Sequence, residues 1–186
     1  MRKLLTLIPA LLAGALLTLA GVQIQAHAED DLAARYKPLQ MEAGTWDADV
    51  TFYENEKPSG TAKGVQVNTP LANGHWMVND FRIPATDRFP PYQGHGVWGF
   101  DPVAKTYVNT WVDTNDRSVR IDYGFWHEPQ QTMVWSAKQS DGEGHFVDYR
   151  MTEEFKGDTR IFTVHQLTMV TARPYILLRI VFTRRA

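Results

Sequence analysis

The sequence predicts an all-β fold, an antiparallel up-and-down β-barrel of about ten strands with a short N-terminal helix. Three observations carry that expectation. Beyond Pro38 no segment keeps the apolar period of about 3.6 residues that a helix needs. Short runs rich in Val, Ile, Thr, Tyr, Phe and Trp recur instead, roughly every ten to fifteen residues. Between them stand residues that preset φ or tolerate a left-handed backbone: Pro58-Ser59-Gly60, Ala72-Asn73-Gly74, Asp101-Pro102, Glu128-Pro129, Asp141-Gly142 and Gly157-Asp158. A meander of that length hides its free edges by closing on itself.

The first residues are set apart from the fold. Arg2 and Lys3 give a basic start, Leu4 to Val22 is almost wholly apolar, and Ala26-His27-Ala28 places small residues where signal peptidase reads. Residues 1–28 are therefore expected to be a signal peptide and residues 29–186 a single exported domain, periplasmic or secreted. A retained membrane helix is the competing reading; Pro9 within the run and acidic Glu29-Asp30-Asp31 after it argue for cleavage. No membrane contact is expected once the peptide is gone.

Asp30 to Tyr36 reads as a short helix with an acidic start, stopped by Pro38. The expected strands follow as Trp46–Tyr53, Thr61–Asn68, His75–Phe81, Gly94–Phe100, Thr106–Asp113, Val119–Phe125, Thr132–Ala137, His145–Glu153, Arg160–Leu167 and Ile176–Thr183. Alternation gives each strand an inside face. In the first strand Trp46, Ala48, Val50 and Phe52 share it; in the sixth, Val119, Ile121, Tyr123 and Phe125 oppose Ser118, Arg120, Asp122 and Gly124. Parity is ambiguous in the last strand, apolar on both faces, and in the fourth, where Gly94, Gly96 and Gly99 suggest bends. The connection from Arg82 to Gln93, with Pro84, Phe89, Pro90, Pro91 and Tyr92, is either a surface loop or a lid over one end.

Composition narrows the function. The chain has no cysteine, which excludes a lipid-modified cysteine, disulfides, thiolate metal sites and a thiol nucleophile. Loss of Arg2 and Lys3 moves the formal charge from −2 to about −4, with no basic cluster before the last residues, so nucleic acid is not an expected partner. No Gly-x-Ser-x-Gly elbow and no phosphate loop occurs. The histidines form neither a His-x-His nor a His-Glu-x-x-His pair, so no metal and no cofactor is expected from local spacing. A site assembled by His75, His95 and His165 from different strands would need all three to face one cavity. Asp80 and Asp113 end strands, but nothing in the sequence fixes the distance between them.

What remains is aromatic: six Trp, seven Tyr and nine Phe, which either fill the barrel or wall an apolar cavity. The candidate ligand-binding residues are His75, His95, Trp98, Trp111, Tyr123, Trp135 and His165. His95 stands out because flanking glycines admit close approach of a ligand or another backbone.

Two sets of residues carry a resemblance. Gly44-Thr45-Trp46 opens the first strand and Arg184 ends the last, as the Gly-x-Trp motif and closing basic residue do in calycins. The run Gly94-His95-Gly96-Val97-Trp98-Gly99-Phe100-Asp101-Pro102, then Lys105-Thr106-Tyr107-Val108 and Trp111-Val112-Asp113, with Gly74-His75-Trp76-Met77-Val78-Asn79-Asp80-Phe81 upstream, resembles the DUF1579 family over most of the mature chain. The resemblance implies a lipocalin-like barrel, with Arg184 stacked over Trp46 to close it, and supplies no activity. The expected function is a non-enzymatic barrel binding a small, largely apolar molecule, its oligomeric state unspecified. An enzyme using an inward histidine as general base, and a filled barrel acting through its surface, stay open beside it.

Overall fold

In the computed structural model residues 32–87, 89–140, 145–167 and 174–186 are described; the expected signal peptide and the Asp141-Gly142 turn lie outside them. Residues 32–35 are helical. Pro38 does not end helical structure. It sits in the first turn of a six-residue helix, α1 (Lys37–Glu42), where its missing N–H has no intrahelical acceptor to lose.

Ten antiparallel strands follow: β1 (Gly44–Glu54), β2 (Lys57–Pro70), β3 (Trp76–Ile83), β4 (Tyr92–Asp101), β5 (Thr106–Asp113), β6 (Arg120–His127), β7 (Thr132–Ser140), β8 (Phe146–Lys156), β9 (Thr159–Leu167) and β10 (Tyr175–Arg184). Each pairs with its neighbours in sequence, and β10 pairs with β1, so the sheet is a closed barrel. The expected all-β barrel is the observed one.

The turns explain most strand boundaries. Asp101 Oδ1 accepts the backbone N–H groups of Val103 (2.8 Å) and Ala104 (3.0 Å), the side-chain mimicry of a turn that Asp provides. Gly157 takes φ +63° between β8 and β9. One turn differs from expectation. The β1–β2 hairpin turns on Asn55 (φ 49°) and Glu56 (φ 61°), and Pro58-Ser59-Gly60 lies inside β2 beside a register shift. Two residues of positive φ match the right-handed twist of a two-residue hairpin, so the chain reverses earlier than its Pro and Gly suggest.

Closure rests on Trp46, which is fully buried. Its indole N–H donates to the Glu42 carbonyl at 2.8 Å, and the Arg184 guanidinium lies 4.1 Å from the ring centroid. Arg184 also donates to the carbonyls of Met41 (2.6 Å) and Ala43, so one side chain ties β10 to the end of α1 and roofs the indole. Ala48, Val50, Ala62, Phe81, Ile83, Ile180 and Phe182 pack with Trp46 in the core.

The sixth strand reverses the expected parity. Asp122 is buried and Gly124 faces inward, whereas Ile121, Tyr123 and Phe125 are exposed on the outer surface. Two inward requirements override the apolar pattern. Asp122 receives a bidentate ion pair from Arg120 (2.7 and 3.1 Å) and a hydrogen bond from the Asn109 amide (2.6 Å). A Cβ on Gly124 would meet the Trp135 ring at 2.4 Å, so only glycine leaves room for that indole.

Candidate functional site

The barrel encloses a cavity of about 540 Å³, within the range of small-molecule sites, so its interior is hollow. Its wall is built from inward positions of nearly every strand: Val50 and Phe52, Ala62, Phe81 and Ile83, Trp98, Trp111, Trp135, Met151, Phe162 and Val164, and Leu178, Ile180 and Phe182. Glycines make room for two of the indoles. A Cβ on Gly94 would stand 2.1 Å from Trp111, and Gly124 serves Trp135 in the same way.

The end of the cavity beside α1 is polar and buried. Arg160 of β9 donates through Nη1 to both Glu42 and Glu153, and through Nη2 to the Gln66 Oε1. Its guanidinium also lies 4.1 Å from the Phe182 ring centroid and 4.9 Å from that of Trp46. Asn79 donates to Glu42 Oε1 (3.0 Å) and to Asn68 Oδ1 (2.7 Å), while Asn68 donates to the Glu42 carbonyl at 3.0 Å. Two atoms of this floor, Glu42 Oε2 and Arg160 Nε, are buried without a hydrogen-bond partner.

Two carboxylates share one guanidinium here, and the imbalance falls on Glu42. Burial, then the charge of Glu153, pushes its carboxyl up to about 8, against the opposing pull of Arg160 and of the Trp98 and Asn79 side chains. Unfolded, the carboxyl titrates near 4.5, so between 4.5 and about 8 the folded chain holds a proton that the unfolded chain has released. Stability is expected to fall as pH rises through that window. Glu42→Gln keeps the shape of the uncharged acid, so it should flatten the fall and leave the protein more stable than its parent at alkaline pH. Urea midpoints measured at stepped pH check this, and an unchanged slope in the variant would assign it to another group.

The opposite end is the mouth. Tyr92 donates to Asp113 Oδ2 at 3.2 Å, and the Trp111 indole N–H is shared between that oxygen (3.1 Å) and the Tyr92 hydroxyl (3.2 Å). Burial, then the Asp113 charge, raises the Tyr92 phenol well above its ordinary value. Asp113 Oδ1 accepts the backbone N–H groups of Asn115 (2.8 Å) and Asp116 (3.0 Å). Hydrogen bonds, first from the Ser118 backbone and then from Gln139, hold Asp116 down at about 2. In the connection from β3 to β4, Phe89 and Pro90 line the cavity, and Phe89 packs on Phe52 at 4.9 Å between ring centroids.

Of the residues singled out from sequence, Trp98, Trp111 and Trp135 line this cavity; His75, His95, Tyr123 and His165 do not. His95 alternates with inward Gly94, Gly96 and Trp98, so its ring points outward, where Nδ1 meets Asp80 Oδ1 at 2.9 Å. Both side chains are about half exposed, at 52% and 47%, and such a surface pair contributes little. Asp80 and Asp113 therefore stand on opposite sides of the sheet. His75 precedes β3 and stacks on Tyr36, with ring centroids 4.4 Å apart. His165 alternates with cavity-lining Phe162 and Val164 on the other face of β9, and burial holds its imidazole below the ordinary value. Tyr123 lies on the outward face of β6. No histidine faces the cavity among the described residues, and no cluster there could hold a metal ion.

The sequence reading missed the floor. Its signal was present: Glu153 shares the buried face of β8 with Met151 and Phe155, and Arg160 shares the face of Phe162 and Val164. A charged residue at an inward position of a barrel strand implies a buried partner.

A family model described as "Protein of unknown function (DUF1579)" matches residues 33–184, nearly the whole of the barrel and its leading helix. The chain belongs to the DUF1579 family. Among solved structures, this DUF1579 protein is similar to that titled "Crystal Structure of Rv2717c from M. tuberculosis". The two share 12% identity with a TM-score of 0.59, over 81% of this chain and 98% of that one. At that identity the likeness shows a shared fold. No curated protein matches the DUF1579 chain significantly.

Proposed function

We propose that this DUF1579 protein is an exported, non-enzymatic carrier that holds a small, largely apolar molecule inside its barrel. The observation that carries the reading is the cavity of about 540 Å³, walled largely by aromatic and aliphatic side chains, with polar groups at its two ends and at Asn109, Arg120 and Asp122. Because Trp98, Trp111 and Trp135 line it, occupancy should register in their fluorescence. Titration with N-phenylnaphthylamine, an uncharged apolar dye, is expected to quench tryptophan emission saturably. Val164→Phe, which places a ring in the cavity, should weaken that binding. A dye that binds equally well to parent and filled variant occupies some other surface, and the carrier reading would fail.

Export rests on Arg2-Lys3, the apolar run and Ala26-His27-Ala28. Produced in a Gram-negative host, the protein should be recovered from the periplasm with Glu29 as its first residue. Recovery of the Met1 form from membranes would refute export and leave the cavity argument untouched.

A further inference from the structure

The cavity is lined by five carboxylates, those of Glu42, Asp113, Asp116, Asp122 and Glu153, against two guanidiniums. Both guanidiniums are already charge-paired, although Arg160 Nε has no hydrogen-bond partner. Arg120 is engaged by Asp122, and Arg160 is shared between Glu42 and Glu153. An acid entering this barrel would leave water, find no unpaired cation, and meet surplus negative charge in surroundings of low dielectric. A cation would meet the reverse.

Depth selects where the cation would rest. Asp113 and Asp116 at the mouth already accept several hydrogen bonds, whereas Glu42 Oε2 is buried in the floor without a hydrogen-bond partner. Trp98 and Asn79 act on the same carboxyl and favour its charged form, the form that pairs with a cation. The charged groups around Glu42 are Glu153 on β8 and Arg160 on β9; Asn79 and Trp98 are uncharged. With both acids ionised this trio carries one negative charge in excess.

Resting on the carrier reading above, we propose that the ligand is an amine: a protonated nitrogen on an apolar or aromatic body, seated with its N–H donating to Glu42 Oε2. The bound ammonium supplies the missing positive charge, so the proton that Glu42 holds in the empty barrel leaves for solvent as the amine enters. The floor then holds two carboxylates and two cations.

Three probes with one shared body test this: naphthylmethylamine, naphthylmethanol and naphthoate, titrated calorimetrically near neutral pH in buffers of different ionisation enthalpy. The amine should bind at least about tenfold more tightly than the alcohol, the carboxylate most weakly. Close to one proton should be released per amine bound, and none per alcohol. Glu42→Gln should bring the amine down to the level of the alcohol and abolish the release. Should that variant fail to fold, proton release by the unaltered protein decides alone, and its absence overturns the assignment. A carboxylate that binds as tightly as the amine also overturns it. So does an amine preference removed by Asp113→Asn and kept in Glu42→Gln. An alcohol equal to the amine defeats this inference and leaves the carrier reading standing. Failure of all three probes together with N-phenylnaphthylamine defeats both.

Discussion

Replacing Arg160 by leucine is expected to destabilise the barrel by about 3–5 kcal/mol. The side chain is 1% exposed and is the cation shared by two buried carboxyls, Glu42 and Glu153. Without it both acids stay buried with no counter-charge, and Gln66 loses the guanidinium it accepts from. The loss should depend on pH with a definite sign. Arg160 pulls the Glu42 carboxyl down, so its loss pushes that carboxyl further up, and the penalty grows as pH rises above the range where the unfolded acid ionises. Urea midpoints for parent and variant near pH 5 and near pH 8 measure this difference. The combined change Arg160→Met, Glu42→Gln and Glu153→Gln should recover most of the loss, since it removes the buried charges along with the cation. A midpoint for Arg160→Leu equal to that of the parent would mean that the trio is not buried as described.

Trp46→Ala is expected to cost a similar amount, about 3–5 kcal/mol, by a different route. The indole is fully buried, and its removal leaves a void beneath two guanidiniums, those of Arg160 and Arg184, that now pack against its ring. It also frees the Glu42 carbonyl from the indole N–H. Arg184→Ala should cost less, because that side chain is partly exposed and gives up the carbonyls of Met41 and Ala43 and an exposed ion pair with Asp158 at 3.5 Å. Denaturant midpoints rank the two variants. A Trp46→Ala protein with an unchanged midpoint would remove the indole from the closure of the barrel.

Most of the fold was legible because its rules are local. Alternation and turn residues place strands without reference to the rest of the chain, so β5 spans the expected Thr106–Asp113 and the other strands differ by a few residues at their ends. Parity fails where a side chain answers to the far wall. Gly94 and Gly96 face inward because Trp111 fills the space before them, and that puts His95 outside. In β6, Asp122 turns in toward Arg120 and Asn109, exposing Ile121, Tyr123 and Phe125. The floor was illegible for a related reason. Glu42, Gln66, Asn79, Glu153 and Arg160 come from five elements, and only closure of the barrel brings them together. Glu153 and Arg160 signal only that an inward charge needs a partner, and Glu42, Gln66 and Asn79 alone read as ordinary polar residues.

The pairing of β1 with β10 also bears on how the chain reaches this state. Nine of the ten strand pairings join neighbours in sequence, so the sheet can grow as successive hairpins with little entropy lost at each step. The seam is different: the hydrogen bond from Arg184 to the Met41 carbonyl spans 143 residues. Until the last strand has left the ribosome, β1 presents an open edge and Trp46 has no guanidinium from Arg184 above it. Closing the seam is thus the non-local event in assembly, and the interval before it is when an unfinished chain can pair with another chain instead of with itself.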